Sequence, residues 1–199
     1  MRNPLDRLTS RLPPPVATAV DWLATIAIAV LAVLFIKVEV ANPYRIPSPS
    51  MEPTLHCAKP VDGCQGRFAD RVVANRFIYR FRDPKRGEIV VFETPATAAA
   101  CGETGTFVKR IVGLPGEVVS VRHGFVYIDG ARLSEPYVEP SFRDGQTKSW
   151  RPVPEDSYFV MGDNRAASCD SRVWGTVPRD DLIGPIFLTY WPPNRLGTN

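Results

Sequence analysis

Histidine is scarce in this sequence, which contains only His56 and His123 among its 199 residues. A serine hydroxyl needs a neighbouring base before it becomes a useful nucleophile, and histidine is the usual base. His123 lies in a predicted hairpin turn, and His56 lies only a few residues beyond the candidate nucleophile, Ser50. The sequence therefore disfavours a Ser-His-Asp triad, and we interpret both histidines as ordinary loop residues.

A concentrated charge of one sign is also absent. The formal net charge is +3, and basic residues are interspersed with acidic ones along the chain. Because the basic patch that marks nucleic-acid-binding domains is missing, we expect no nucleic-acid partner. No internal repeat or low-complexity block is evident, and the length suits one domain of ordinary size plus an anchor.

One long apolar run is present, from Val16 to Ile36, and it is interrupted only by Asp21 and two threonines. About 20 apolar residues cross a hydrocarbon core of roughly 30 Å. A cleaved secretory signal is one alternative, but its apolar region has roughly 7–15 residues and ends at a small-x-small site, which is missing here. A buried helix of a soluble domain is the other alternative. We predict a retained transmembrane anchor.

The residues before this run predict its orientation. Three arginines precede it, and such a basic flank favours a cytoplasmic N-terminus. We therefore divide the chain into a short cytoplasmic tail (residues 1–15), a transmembrane anchor (16–38) and an extracytoplasmic β-rich domain (39–199).

The four cysteines fit an extracytoplasmic compartment, where disulfides persist. Cys57 and Cys64 are close in sequence and predict a disulfide that closes a short loop. Cys101 and Cys169 are far apart, and a bond between them is a further option that sequence alone leaves open. Zinc ligation is the alternative, but no C-x-x-C pair or histidine cluster accompanies these residues.

Beyond the anchor, the sequence predicts strands rather than helices. His123-Gly124 and Asp129-Gly130 are dipeptides typical of hairpin turns. No long segment there shows a period of 3.6 residues. We predict a mainly β fold, in which a single N-terminal transmembrane helix precedes a mostly antiparallel β-sheet domain. Short β-branched runs bounded by turn residues mark the strands, at 70–75, 87–92, 118–121, 125–128, 157–161 and 186–190.

Lys109 lies in one such strand-like run, FVKRIVG. Because alternate residues of a strand share a face, Phe107 and Ile111 flank Lys109, while Arg110 points to the other side. A lysine has an ordinary pKa of about 10.4, so it acts as a base near neutral pH only where burial disfavours its charged form. The simpler alternative is a strand lysine that faces solvent.

Ser50 lies in a proline-rich segment just beyond the anchor, IPSPSMEPTL at residues 46–55. Pro49 has no N–H group, so an oxyanion hole built here would use the Ser50 amide and the Ser48 hydroxyl. The alternative is that both serines are ordinary linker residues. Taken together with Lys109, the segment predicts a serine nucleophile that is activated by a lysine.

Four segments of this chain, in this order, resemble the motifs of type I signal peptidases (leader peptidases), a family of serine/lysine-dyad proteases. Any one segment is a weak signal, but four in order behind an anchor are specific, and they cover most of the chain after the anchor. The segments are IPSPSMEPTL (46–55), RGEIVVF (86–92), FVKRIVGLPGE (107–117), and MGDNR (161–165) continued by SCDSR (168–172) and WG (174–175).

The resemblance implies a catalytic role for four of the matching positions. Ser50 would be the nucleophile and Lys109 the general base. The oxyanion hole would consist of the Ser50 amide and the Ser48 side chain. Ser168 would hydrogen-bond the lysine amine and orient it.

The resemblance also implies supporting and substrate-binding residues. Asp170 with Arg172, and Arg110 with Asp163, would form ion pairs behind the site, with a purely structural role as the alternative. The substrate-binding residues would line shallow apolar pockets, although each could instead belong to the core. They are Tyr44, Ile46, Met51, Leu55, Phe107 and Val108.

The function implied by the resemblance is that of a membrane-bound serine endopeptidase that removes signal peptides from exported preproteins. It would cut after small residues of the Ala-x-Ala type, at the extracytoplasmic face of the bacterial cytoplasmic membrane, with no metal or cofactor. Its partners would be signal-peptide-bearing preproteins and the lipid bilayer, and we expect a monomer. Two alternatives stay open: an inactive anchored β-domain that only binds exported chains, and a related Ser/Lys processing protease with a dedicated substrate.

Overall fold

The structure, a computed structural model, describes residues 13–35, 41–102 and 105–198. The chain divides after Ala41 into two units. The first contains one apolar helix, and the second contains the β-sheets and the candidate site.

Helix α1 spans Pro14–Phe35. Proline suits its start because the first turn of a helix does not use its N–H groups. Its two threonine hydroxyls donate hydrogen bonds to backbone carbonyls one turn earlier, so these polar groups are satisfied within the helix. Over Pro14–Leu34 the mean hydropathy is 2.1, which by length and composition suffices to cross a membrane. The last residues of the predicted anchor, 36–38, lie outside the described residues.

The second unit contains two sheets. The larger sheet has the order β1-β2-β11-β3-β4-β9-β10, with β12 paired to β11, and the smaller has the order β7-β6-β5-β8. From β2 to β10, neighbouring strands of the larger sheet are antiparallel, and so are those of the smaller sheet. This confirms the predicted fold class. The strands are β1 (Ala41–Arg45), β2 (Arg71–Asn75), β3 (Ile89–Glu93), β4 (Thr106–Gly113), β5 (Val119–Arg122), β6 (Phe125–Ile128), β7 (Ala131–Arg132), β8 (Lys148–Ser149), β9 (Ser157–Met161), β10 (Val177–Pro178), β11 (Leu182–Trp191) and β12 (Gly197–Thr198).

The two predicted hairpin turns are present in the smaller sheet. His123 and Gly124 connect β5 to β6, and Asp129 and Gly130 connect β6 to β7. All four residues have positive φ angles, between 49° and 85°. Two-residue turns with positive φ match the twist of the flanking strands, which is why these dipeptides fix the register.

Strand β3 is buried on both faces and forms the centre of the unit. Val90 and Phe92 pack into one apolar cluster, together with Ile111 of β4. Ile89 and Val91 point the other way, into a second cluster. Side chains alternate across a strand, so a continuous apolar run is needed where both faces are covered. Strand β4 pairs directly with β3 and is thereby held in a rigid setting.

Both cysteine pairs form disulfides. Cys57 is bonded to Cys64 and Cys101 to Cys169, with Cα atoms 5.1 Å and 6.2 Å apart, respectively. The buried carboxylate of Glu52 lies close to the first pair. Zinc binds thiolates, which disulfide sulfurs no longer supply, so this arrangement does not support the zinc alternative.

Candidate active site

Ser50 lies in a single turn of 3-10 helix, Pro49–Met51, and is 6% exposed. Proline begins this turn because its first position needs no N–H donor. The carbonyl oxygen of Ser50 accepts a hydrogen bond from the Asn164 amide at 3.1 Å. The segment that follows β9 therefore fixes the backbone of the candidate nucleophile.

Lys109 reaches this serine from the middle of β4. Its Nζ donates a hydrogen bond to Ser50 Oγ across 2.7 Å. The residue is only 4% exposed, it lies opposite Val90 of β3, and Nζ is 5.4 Å from the centre of the Phe107 ring. The 2.7 Å between Lys109 Nζ and Ser50 Oγ is within the reach required of a general base. The alternative of a solvent-facing lysine is therefore wrong.

Ser48 lies beside the same hydroxyl. Its Oγ is 3.3 Å from Ser50 Oγ, and its backbone is extended, with φ −126° and ψ 157°. The side chain is half-buried, so its hydroxyl borders the space next to the candidate nucleophile. An oxyanion-hole role for Ser48 is compatible with this position and stays a prediction.

Asp170 is fully buried and organises the loop behind the site. It accepts a hydrogen bond from the Ser168 hydroxyl at 2.8 Å and one from the Gly162 amide at 3.0 Å. Both of its oxygens also bind the Arg172 guanidinium, each at 2.8 Å. In addition, it caps the short helix α2 (Ser171–Trp174) by accepting from the Arg172 amide. Ser168 is thus oriented by Asp170, and its predicted bond to the lysine amine stays a prediction.

Burial alone would lower the pKa of the Arg172 guanidinium. The hydrogen bonds and charge of Asp170, with a further contribution from Asp144, outweigh burial and raise the pKa above its ordinary value. Arg172 therefore stays charged, and its predicted pairing with Asp170 is an ion pair.

The second predicted pair is also brought together. Arg110 binds Asp163 through two hydrogen bonds, Nε to Oδ1 at 2.8 Å and Nη2 to Oδ2 at 2.6 Å. Asp163 is fully buried, and the guanidinium also donates to the Gly87 carbonyl at 2.7 Å. The ring of Tyr137 lies 4.0 Å from the guanidinium carbon. This pair joins β4 to the segment after β9.

Sequence reasoning missed the role of Glu52, which is fully buried two residues after Ser50. Its carboxylate accepts hydrogen bonds from the amides of Cys57 and Gln65, both at 3.0 Å, and pairs with the imidazole of His56. These contacts hold the loop beyond the nucleophile. The sequence indicated only that an acidic residue lies two positions after Ser50. Hydrogen bonds to backbone amides can involve any residue type, so they cannot be predicted from a sequence pattern.

Gly162 was also missed, and its role is steric. A Cβ atom at this position would overlap Ser168 Oγ and would lie 2.5 Å from the Ser50 carbonyl oxygen. Only a residue without a side chain lets these two segments approach so closely.

A cleft of about 600 Å³ opens onto Ser50 and Lys109. Five of the six predicted substrate-binding residues line it. Leu55 does not: the prediction that it lines the cleft is wrong, because its side chain is fully buried in the apolar core with Ile46 and Met51. The described lining residues are Tyr44, Arg45, Ile46, Pro47, Ser48, Pro49, Ser50, Met51, Cys101, Thr106, Phe107, Val108, Lys109, Ala167 and Cys169.

Comparison with known proteins identifies relatives of this chain. The family described as "Signal peptidase, peptidase S26" matches residues 19–191. A probable signal peptidase I-2 of Synechocystis sp. is 41% identical, over 92% of this chain and 78% of that protein. A signal peptidase I of Leptolyngbya laminosa is 40% identical, over 89% and 82% respectively. A signal peptidase I of Bacillus amyloliquefaciens is 35% identical, over 90% and 92%.

These matches confirm the family and the enzyme class, a serine endopeptidase, that the sequence predicted. With the apolar helix α1, they indicate a membrane-anchored protein. The chain belongs to the signal peptidase family, peptidase S26.

Proposed function

We propose that this peptidase removes N-terminal signal peptides from exported preproteins, with Ser50 as nucleophile and Lys109 as general base. The observation that carries the proposal is the 2.7 Å hydrogen bond between Lys109 Nζ and Ser50 Oγ, inside a cleft and away from solvent. Burial disfavours the charged ammonium and so favours the neutral amine that can accept a proton.

The reaction proceeds in two halves. Neutral Lys109 takes the Ser50 proton as Oγ attacks the scissile carbonyl, and the oxyanion receives hydrogen bonds from the Ser50 amide and the Ser48 hydroxyl. The protonated lysine then gives its proton to the departing amine, and an acyl-enzyme forms. In the second half, Lys109 deprotonates a water that hydrolyses the ester and frees Ser50.

Five buried or half-buried residues position this dyad. Ser168, held by Asp170 and Arg172, would orient the lysine amine from the loop behind the site. Asp163, bonded to Arg110, fixes β4 against the segment that carries Gly162. These residues act through others, and losing them would affect folding as well as rate.

The substrate would bind in the cleft as an extended segment that adds main-chain hydrogen bonds along a strand edge. Ile46 and Met51 border the cleft but are only 2% and 1% exposed and pack in the apolar core, so they offer a substrate little surface of their own. The preference for Ala-x-Ala sites is proposed from the resemblance to type I signal peptidases. Tyr44, Phe107 and Val108 would offer the apolar surfaces.

We place helix α1 in the bacterial cytoplasmic membrane as a single-pass anchor, within the predicted segments 1–15, 16–38 and 39–199. The three arginines before the helix support a cytoplasmic N-terminus. The two disulfides support an extracytoplasmic location for the β-sheet unit. We expect a monomer that works at the lipid bilayer.

The direct test is cleavage of a preprotein that carries an Ala-x-Ala site by the detergent-solubilised full chain. We expect cleavage by the wild type and none by Ser50→Ala or Lys109→Met. The rate should rise toward alkaline pH, because only the neutral amine accepts the serine proton. Binding without cleavage would favour the inactive-domain alternative. Cleavage that survives in Lys109→Met, or a flat rate from about pH 5 to 9, would overturn the dyad.

A further inference from the structure

Three segments of the chain form the walls of the cleft. Residues 44–51 supply one wall and residues 106–109 the second. Among the residues that the structure describes, the third wall consists of Cys101, Ala167 and Cys169. Two of these three are joined by a disulfide, with Cα atoms 6.2 Å apart. The bond therefore sets the spacing between the two segments that make up this wall.

One end of the bond is next to the candidate catalytic groups. Cys169 directly follows Ser168, whose hydroxyl donates to Asp170 at 2.8 Å. The Ser168 side chain also lies against Gly162, which in turn lies against the carbonyl oxygen of Ser50. A displacement of Cys169 would therefore be transmitted to the Ser50 backbone through two contacts, Ser168 with Gly162 and Gly162 with Ser50.

The other end of the bond belongs to a docked segment. Cys101 ends the 3-10 helix Ala96–Cys101. Within it, the Thr97 hydroxyl donates to the Trp174 carbonyl at 2.9 Å, and Ala98 is fully buried. These contacts dock the segment on the apolar core and on helix α2, and the bond to Cys169 restrains the loop that immediately precedes α2.

The two disulfides differ in accessibility. Cys57 and Cys64 are 0% and 5% exposed, whereas Cys101 and Cys169 are half-buried in the cleft wall. Thiol–disulfide exchange requires direct attack on a sulfur atom. A dithiol in solution should therefore reduce the Cys101–Cys169 bond first and leave the buried bond intact under native conditions.

We propose that the Cys101–Cys169 disulfide is a positioning element of the active site. It holds the loop that contains Ser168, between β9 and α2, in a fixed position relative to Ser50. The inference rests on the proposed function. Breaking the bond leaves the apolar surfaces of the other two walls in place, so substrate binding changes little. It loosens the loop that supports the dyad, so the chemical step slows. Small displacements of catalytic groups are costly, and we expect kcat to fall about tenfold while KM changes less than about threefold.

The test uses the detergent-solubilised full chain and dithiothreitol, whose two thiols lose two electrons and become a cyclic disulfide as the protein bond opens to two thiols. Alkylation followed by mass spectrometry identifies which cysteines are reduced. We expect the fall in kcat to follow reduction of Cys101 and Cys169, and to reverse on reoxidation. The double variant C101A/C169A should have the low kcat in the absence of reductant and should not respond to it.

The matched control is C57S/C64S, which removes the buried bond instead. This variant should keep the same fold-change in kcat on reduction, whatever its own basal rate. Melting temperatures measured with and without reductant separate lost stability from lost positioning: if the reduced protein melts well above the assay temperature, a lower kcat reflects lost positioning. If C101A/C169A does not fold, the reversibly reduced wild type carries the test.

An unchanged kcat in wild type whose Cys101 and Cys169 are fully reduced would overturn the proposal, as would full activity of C101A/C169A. Amide hydrogen exchange of residues 162–170 gives a readout independent of turnover: it should quicken on reduction, and no change there would also count against the bond as a restraint. Absence of peptidase activity in the oxidised wild type, or activity in Ser50→Ala, would instead refute the proposed function.

Discussion

Gly162 packs directly against Ser50: a Cβ atom on the glycine would lie 2.5 Å from the serine carbonyl oxygen. The same Cβ would overlap Ser168 Oγ. The backbone conformation of Gly162 is an ordinary one, so the demand for glycine is steric and comes from two segments that meet at the active site. This contact makes the position a sensitive probe of the site.

We expect Gly162→Ala to lower kcat by about a hundredfold, because the added methyl group displaces the nucleophile. The free energy of unfolding should also fall by about 1–3 kcal/mol from overpacking. Peptidase kinetics and urea unfolding measure the two effects. Gly197→Ala is the matched control, because a Cβ there meets open space. Wild-type kinetics for Gly162→Ala would contradict the close approach.

Ser48→Ala tests the oxyanion hole. Removing one preorganised donor typically lowers kcat by about 10²–10³-fold, and KM should hardly change because the donor acts on the developing charge. The Ser48 hydroxyl is 3.3 Å from Ser50 Oγ, close enough to serve this role. Ser48→Thr keeps a hydroxyl and should retain more activity. A KM effect without loss of kcat would show that Ser48 contacts substrate instead.

Asp163→Asn should destabilise the fold. It leaves the Arg110 guanidinium without its buried carboxylate partner, and breaking such a pair costs about 3–5 kcal/mol. Chemical unfolding monitored by tryptophan fluorescence measures the loss. The double variant R110M/D163L removes both charges and should recover much of the stability. If the single and double variants are equally destabilised, the pair contributes through packing rather than charge.

Tyr137 gives a prediction for alkaline solution. Burial, and then the negative charge of Glu135, raise the pKa of Tyr137 to about 12. An unfolded tyrosine titrates near pH 10, so the unfolded state releases its proton first. The stability linked to this group is therefore fully present below about pH 10 and is lost as the pH rises toward 12.

Tyr137→Phe should accordingly make the decline in unfolding free energy between about pH 9 and 11 less steep. Urea unfolding at several pH values measures that slope. Val138→Ala, which changes a buried side chain but no titratable group, should leave the slope unchanged. Equal slopes for wild type and Tyr137→Phe would contradict the raised pKa.

The longer strands of both sheets and the two hairpin turns could be predicted because their signals are local, whereas β1 and the two-residue strands β7, β8, β10 and β12 were missed. His123-Gly124 and Asp129-Gly130 permit positive φ angles, and that alone sets a two-residue turn. Side chains alternate across a strand, so the sequence predicted that Lys109 lies on the same face of β4 as its apolar neighbours Phe107 and Ile111. These features depend on residues close in sequence, and sequence reasoning found them.

The contacts that close the site could not be predicted in the same way. Glu52 binds the amides of Cys57 and Gln65, and such bonds depend on the path of a loop rather than on residue types. Leu55 looked like a pocket residue beside the nucleophile, but the chain turns it into the core. Both outcomes depend on packing between residues far apart in sequence, which local sequence patterns do not predict.

The Asp170 carboxylate receives five hydrogen-bond donors from Gly162, Ser168 and Arg172. Asparagine would offer one acceptor oxygen instead of two, and glutamate would be a methylene too long for the same space. A substitution at Asp170 should therefore disturb the fold and turnover together. Exposed positions at the border of the cleft, such as Arg45 and Thr106, make none of these five bonds and can change without breaking them.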